Sequence, residues 1–305
     1  MLYKLNLLKF LTPQIDATEP INFKGLTFTN KLGIAAGLDK NGDYIDALGS
    51  IGFGFIEVGT VTPLPQAGNS KPRIFRLQSQ QGIINRLGFN NKGVDYLVRN
   101  LKKRSFPGVL GVNIGANKNS KSAQRVDDYV HCFTRVAPYA DYITVNISSP
   151  NTPNLRDLHT KDHLEALFTS IANAREALNF QGPIFIKLSP DETNAVIQEV
   201  VFSINRFKFD GVIASNTTLD RGEISDIKIS QQSGGLSGRP LFNKSNDLIS
   251  QVRTVDSNLF QIGVGGVFNN EDFNKKIDLG ASLVQIYTSF VYEGPSVLKT
   301  ILNTP

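Results

Sequence analysis

Tyr142-Ile143-Thr144-Val145-Asn146-Ile147-Ser148-Ser149-Pro150-Asn151-Thr152-Pro153-Asn154-Leu155-Arg156 carries an apolar run straight into a polar one. The run Tyr142 to Val145 reads as a buried strand, and the serines and amides that follow stand where its core stops. In a parallel α/β sheet that end of a strand is where ligands bind. Asn146 and Asn151 each offer a donor and an acceptor, which suits a cyclic amide or imide. Read alone, the segment is equally a polar turn, because Asn, Ser and Pro are ordinary turn formers.

Working outward, short apolar runs recur. They are Leu32 to Ala36, Phe55 to Val58, Val109 to Ile114, Tyr142 to Ile147, Ile184 to Leu188, Gly211 to Ser215, Gln261 to Val264 and Leu283 to Ile286. Amphipathic stretches lie between them: Val94 to Lys103, Val126 to Val136, His163 to Leu178, Thr193 to Phe207 and Leu241 to Val255. Apolar runs alternating with helical patterns in this number predict an α/β chain folded as a (β/α)8 TIM barrel. An open doubly wound sheet is the alternative, but Ala35-Ala36-Gly37-Leu38-Asp39-Lys40 is not its glycine fingerprint. Ile21 to Phe28 alternates around Gly25 and reads as a small hairpin ahead of the barrel. Two long βα-loop insertions, Thr60 to Asn91 and Asn216 to Pro240, break the rhythm on the side where barrel enzymes build their sites.

The composition agrees with one large core. Of 305 residues, 40% are hydrophobic and 19% charged, with no low-complexity tract, so the chain is not disordered. The expected division is a short N-terminal extension, 1–20, and a catalytic barrel, 21–305. The lone Cys132 excludes an intramolecular disulfide and a cysteine-based zinc site. A net charge of +5 favours anionic ligands or an anionic membrane surface, and it is too diffuse to point to nucleic acid. Lys102-Lys103-Arg104 ends a predicted helix, where cations suit the dipole. Met1 to Leu11 is apolar with Lys4 and Lys9 interspersed, too short and interrupted to span a bilayer, and without a clear signal-peptide pattern. It reads as a helix packed on the body or lying at a membrane interface.

Polar residues cluster where the strands end: Ala36 to Lys40 after the first, Thr60 after the second, Asn113 on the third, Asn146 and Ser149 after the fourth. Lys187 stands on the fifth strand, Ser215-Asn216-Thr217 follows the sixth, Gly263 to Val267 the seventh and Tyr287-Thr288 the eighth. Glycines near the last strands suit a phosphate, with Gly234-Gly235-Leu236-Ser237-Gly238 extending the cradle. Lys187 should point into the barrel mouth, either to water or beside a group that gains negative charge during reaction. None of the three histidines, His131, His159 and His163, falls at a strand end. A Ser-His-Asp triad, a histidine metal site and a histidine base are therefore not expected, nor is a carboxylate pair for glycoside hydrolysis. What remains points to a cofactor that carries the chemistry.

These motifs closely resemble the class 2 dihydroorotate dehydrogenases, quinone-linked and membrane-associated flavoproteins of pyrimidine synthesis. The resemblance runs from about Ile21 to Pro295. It includes Ala35 to Lys40, Gly59-Thr60-Val61-Thr62-Pro63, Asn85-Arg86-Leu87-Gly88-Phe89-Asn90, Gly111-Val112-Asn113, Asn146 to Thr152, Ser215 to Thr218, Gly234 to Pro240, Gly263 to Val267 and Gln285 to Thr288. It implies FMN in the barrel mouth, with phosphate on Gly238, Gly266, Tyr287 and Thr288. Ala36, Gly37, Leu38, Asp39, Lys40, Thr60, Asn113, Asn146, Lys187 and Ser215 would hold the rest of the cofactor. Dihydroorotate would be held by Lys40, Asn85, Arg86, Leu87, Gly88, Phe89, Asn146, Asn151, Asn216 and Thr217. Ser149 would be the base that takes the C5 proton while hydride leaves C6, in a loop that closes over the substrate with Thr152 or a water helping to relay the proton. Ser149 also separates the classes, because the soluble class places Cys there. Arg76 and Tyr287 occupy positions associated with the quinone head group.

Two departures accompany the resemblance. Asn154 stands where the motif usually has Gly, and about twenty residues precede the hairpin where the family places a pair of helices. A shorter or more open quinone tunnel is the expectation, with Met1 to Leu11 facing the membrane. The implied setting is a monomer attached peripherally to the cytoplasmic side of the cell membrane. Competing readings are a soluble-acceptor dihydroorotate dehydrogenase, a dihydrouridine synthase-like FMN barrel, or a non-catalytic flavin- or phosphate-binding barrel. Dihydrouridine synthases use a catalytic Cys, whereas Cys132 lies mid-helix in the predicted pattern.

Overall fold

The structure is a computed structural model that describes residues 19–121, 123–148, 161–224 and 227–303. Eight parallel strands close a barrel: Leu32–Ile34, Phe55–Val61, Val109–Ile114, Tyr142–Asn146, Ile184–Leu188, Gly211–Ala214, Phe260–Val264 and Leu283–Ile286. Each pairs in parallel with the next, and the eighth returns to the first through Val284 opposite Leu32. The predicted runs match these strands to within about three residues at each end. Nearly every strand residue is buried, because helices cover the outer face and side chains fill the inner one. Gly111 leaves room for its neighbour, since a Cβ there would meet the Tyr142 ring at 2.0 Å.

Helices Val94–Leu101, Ala123–Val136, Lys161–Ala177, Asn194–Arg206 and Phe242–Val255 fall where the amphipathic stretches place them. Thr193 caps its helix by accepting from the Val196 N–H, and Asn269 caps helix Asn270–Asp278 through Asp272 N–H at 2.8 Å. The hairpin pairs Ile21–Phe23 with Leu26–Phe28 in antiparallel fashion. It plugs the N-terminal end of the barrel. Phe23 stacks on Phe260 at 3.8 Å, and Phe28 meets Phe55 edge-on at 5.3 Å. The opposite end is left open for a site.

The two insertions are more ordered than long loops. Ile74–Leu77, Gly82–Asn85 and Gly235–Gly238 form one three-stranded antiparallel sheet with Gly82–Asn85 at its centre. Gly238 sits opposite Gly82, and Gly235 opposite Asn85. Arg86 pins the arrangement by donating to Gln232 Oε1 at 3.0 Å, and Arg221 reaches the Gly234 carbonyl. Sequence reading could not see this sheet, because its strands are four residues long and its third strand pairs with one about 150 residues earlier in sequence. The expectations placed on Met1 to Leu11 and on Ser149 to Arg156 lie outside the described residues.

Candidate active site

A cavity of about 960 Å³, counting its open mouth, occupies the C-terminal end of the barrel. Strand ends form its floor and the inserted sheet forms one wall. Of the residues expected to hold ligands, Ala36, Gly37, Lys40, Thr60, Asn85, Leu87, Gly88, Phe89, Asn146, Lys187, Ser215, Asn216, Thr217, Gly238, Gly266, Tyr287 and Thr288 line it together. Ser149 and Asn151 lie outside the described residues.

Five expected residues stand elsewhere. Leu38 packs on the hydrophobic core instead. Asp39 is buried, and its carboxylate accepts N–H bonds from Asn41, Asp43 and Tyr44, at 2.7 Å for Tyr44. Burial raises its pKa against those three bonds. Asp39 therefore shapes the strand-one loop from behind. Asn113 sits one layer below the cavity, accepting from Thr60 Oγ1 at 2.6 Å. Arg86 turns away to Gln232 and lies over the Phe75 ring at 4.6 Å. Arg76, a candidate for the quinone and not for the flavin, lies outside this cavity, 5.8 Å from the Tyr292 ring.

The amides at the centre are fixed by one another. Asn146 Nδ2 donates to Thr60 Oγ1 at 3.1 Å, and Asn216 Nδ2 donates to Ser148 Oγ at 3.0 Å and to Asn146 Oδ1 at 3.3 Å. Strands two, four and six are thus tied at their ends. Ser148 is fully buried in this knot, immediately before Ser149 in sequence.

Beneath it lies a network that sequence reading missed. Glu57 is 1% exposed in the barrel interior. It accepts from Asn113 Nδ2 at 2.8 Å, Tyr142 Oη at 2.9 Å and Gln285 Nε2 at 2.9 Å. A glutamate within Phe55-Ile56-Glu57-Val58 was the available signal, since a buried strand rarely carries one without a reason. Lys187 is 6% exposed and faces the cavity. Among the described residues, no hydrogen bond or ion pair engages its ammonium. Burial lowers its pKa, and the Glu57 charge opposes that shift. Lys40 is pushed down to about 8 by burial, then by the like charges of Lys187 and Arg73. Lys40 and Lys187 thus face one cavity, and among the described residues neither ammonium has a hydrogen-bond or ion-pair partner.

Another part of the wall, lined by glycines, suits an anion. A Cβ on Gly266 would come within 2.6 Å of Phe242 Cα, and one on Gly238 within 2.2 Å of the Gln81 carbonyl. Both glycines have positive φ, 78° and 90°. Only glycine fits this close packing of backbone, and it leaves the cavity wall free of side chains at both positions. Ser237 and Thr288 hydroxyls lie 2.8 Å apart on the same wall. Ser237, Gly265, Val264 and Ser289 also line the cavity, although only the glycine clusters had pointed there.

This geometry has relatives. The family model for dihydroorotate dehydrogenase matches residues 20–304. The chain is 49% identical over 302 residues to a dihydroorotate dehydrogenase (quinone) of Proteus mirabilis, covering 97% of this chain and 89% of that one. It is 50% identical over 300 residues to the enzyme of the same name from Pectobacterium atrosepticum, with the same coverage. Among solved structures, DHODH of Eimeria tenella in complex with ferulenol superposes with a TM-score of 0.89 at 36% identity, covering 98% of this chain and 89% of that one. The ligand-free form of that protein gives the same score and identity, with 91% of its chain covered. A closed barrel with an anion-shaped wall and these relatives lead to one conclusion: the chain belongs to the dihydroorotate dehydrogenase family, in its quinone-linked class.

Proposed function

We propose that this protein oxidises dihydroorotate to orotate with FMN in the cavity and a quinone as final acceptor, in pyrimidine biosynthesis. The observation that carries the reading is the cavity itself, which brings together two lysines, unpartnered among the described residues, and a glycine-lined wall. That donor set fits a phosphorylated flavin. Gly238, Gly266 and Thr288 would hold the phosphate, with Tyr287 packed beside the strand-one loop. A Cβ on Gly37 would lie 3.3 Å from the Tyr287 ring, so the ring backs the loop that would line the isoalloxazine. When bound, the flavin supplies the hydride acceptor.

The chain's own residues bind, orient and move protons. Lys187 places a fixed cation where charge grows on reduction, and Glu57 behind it opposes its loss of a proton. Asn146 and Asn216 hold one another by their amides and leave further donors and acceptors for the substrate ring. Lys40 sits in the mouth where an anionic substrate carboxylate would dock. Ser149 takes the C5 proton. A serine hydroxyl is a weak base and needs a water-poor site with a route for the proton. The buried Ser148 knot keeps the preceding backbone dry.

Quinones dissolve in membranes. Among the described residues no helix is long and apolar enough to cross one. By the likeness to quinone-linked relatives, the proposed setting is a monomer attached peripherally at the cytoplasmic face, with Met1 to Leu11 as the contacting segment and Arg76 and Tyr287 toward the quinone. The test is to mix the purified flavoprotein with dihydroorotate under anaerobic conditions and then offer a long-chain quinone, fumarate or NAD in turn. Bleaching of the flavin followed by reoxidation by quinone supports the reading. No bleaching refutes the substrate, and reoxidation only by fumarate or NAD refutes the acceptor.

A further inference from the structure

We propose that Lys276 is a buried counter-charge to the cofactor phosphate, a positioning residue behind the strand-seven glycine loop that makes this site prefer a phosphorylated flavin over an unphosphorylated one. The proposal rests on the flavin reading above.

Lys276 lies on helix Asn270–Asp278 and is fully buried. Its ammonium donates to Ser245 Oγ and to Asn246 Oδ1, both at 2.9 Å, near the start of helix Phe242–Val255. Ser245 Oγ in turn donates to the Val264 carbonyl at 2.7 Å. Val264, Gly265 and Gly266 line the cavity. Nothing separates the helix start from this loop: a Cβ on Gly265 would lie 3.1 Å from Ser245 Cβ, and one on Gly266 would lie 2.9 Å from Phe242 N. A two-bond relay therefore runs from a buried cation to the peptide that joins Val264 to Gly265. The N–H of that peptide is Gly265's, and Gly265 lines the cavity beside Gly266. A chain of hydrogen bonds polarises each member in turn, so the cation makes that N–H a stronger donor.

The surroundings give Lys276 no anion of its own. Among the described residues no carboxylate lies within ion-pair distance. Asp272, one turn back on the same helix, raises its pKa, but that carboxylate is already engaged by the Phe268 N–H at 2.9 Å and Arg239 Nη1 at 3.3 Å. From the facing helix come the neutral Ser245 and Asn246 and the Phe242 ring, 5.2 Å from the ammonium. Arg253, further along that helix, donates to the Ser257 and Gly280 carbonyls. Burial lowers the Lys276 pKa to about 7. A lone buried cation is costly, and an apolar chain of equal volume would cost less. An arriving phosphate dianion offsets that cost through a medium of low dielectric, without contact.

The test uses apoprotein of the wild type, Lys276→Met and Lys276→Gln, titrated with FMN and with riboflavin. Methionine keeps the volume, and glutamine keeps a donor for Ser245 while removing the charge. Both variants are expected to bind FMN about tenfold more weakly, the scale of one buried charge interaction, with riboflavin binding unchanged. Near pH 8, calorimetry in buffers of different ionisation enthalpy is expected to show proton uptake with FMN and none with riboflavin. Equal weakening of both flavins, or recovery of FMN affinity by Lys276→Gln, assigns Lys276 to packing and overturns the proposal. A wild-type apoprotein that binds neither flavin overturns the flavin reading and this inference with it. A wild type that prefers FMN beside variants that keep the preference overturns the inference alone.

Discussion

Gln285 Nε2 donates to the buried Glu57 Oε2 at 2.9 Å, joining strand eight to strand two directly under the cavity. Gln285 lines the cavity while Glu57 does not, so the bond carries the barrel interior up to the ligand floor. Asn113 and Tyr142 complete the clasp from strands three and four. One carboxylate thereby orients side chains from three other strands and supplies the negative charge nearest in effect to Lys187.

Glu57→Gln should lower stability by about 1–3 kcal/mol, because an amide cannot accept all three bonds. It should also let Lys187 lose its proton more readily. Denaturant unfolding measures the first effect. Acylation of Lys187, followed by mass spectrometry at pH 7 to 8, measures the second and should speed up. Unchanged acylation would separate Glu57 from the lysine.

Ser149→Ala should retain flavin and bind orotate, yet reduce the flavin about 10²- to 10⁴-fold more slowly, the usual share of a positioned base. Rapid anaerobic mixing with dihydroorotate reads this directly. Near-normal reduction would remove Ser149 from the proton step.

The pH dependence of ligand binding should follow Lys40. Its cation is complete well below a pKa of about 8 and disappears above it. Orotate is an anion, so its affinity should be level in the acid range and fall as pH rises through about 8. Orotate titration by the flavin spectrum across pH 6 to 10 tests the sign. Lys40→Met should flatten the curve, and a curve of the same shape in that variant would assign the titration elsewhere.

Gly266→Ala should lose flavin. The new Cβ would stand 2.5 Å from Phe242 Cβ, at a φ of 78° that alanine adopts poorly. The strain is on the order of 1–3 kcal/mol before any shift of the helix. Flavin content after purification and thermal unfolding of the apoprotein check it together. Full flavin content would show that the wall tolerates a side chain.

Much of this site was legible because it obeys a positional rule. Residues that follow strands in a closed parallel barrel meet at one end, so Thr60, Asn146, Lys187, Ser215 and Tyr287 could be assembled from eight apolar runs. The rule fails inside a loop, where direction is not periodic. Leu38 and Asp39 share a loop with Gly37 and Lys40, yet they turn to the core and to backbone N–H groups. Arg86 fails in the same way between Asn85 and Leu87. Just past the end of strand Gly82–Asn85, its side chain reaches Gln232 and the Phe75 ring while its neighbours line the cavity.

The sequence by itself determined the barrel, the hairpin and which strand ends meet at one cavity, because burial from both sides writes itself into continuous apolar runs and alternation marks the hairpin. Only the tertiary structure decided that the two insertions share one sheet, that Glu57 clasps three strands and that Lys276 is buried behind the glycine wall. Each of these rests on partners far apart along the chain: Gly82 and Gly238, Glu57 and Gln285, Lys276 and Ser245. Pairing at such separation leaves no local period, and Lys276 beside Lys275 on a polar helix reads like any solvated lysine until its neighbours are in place.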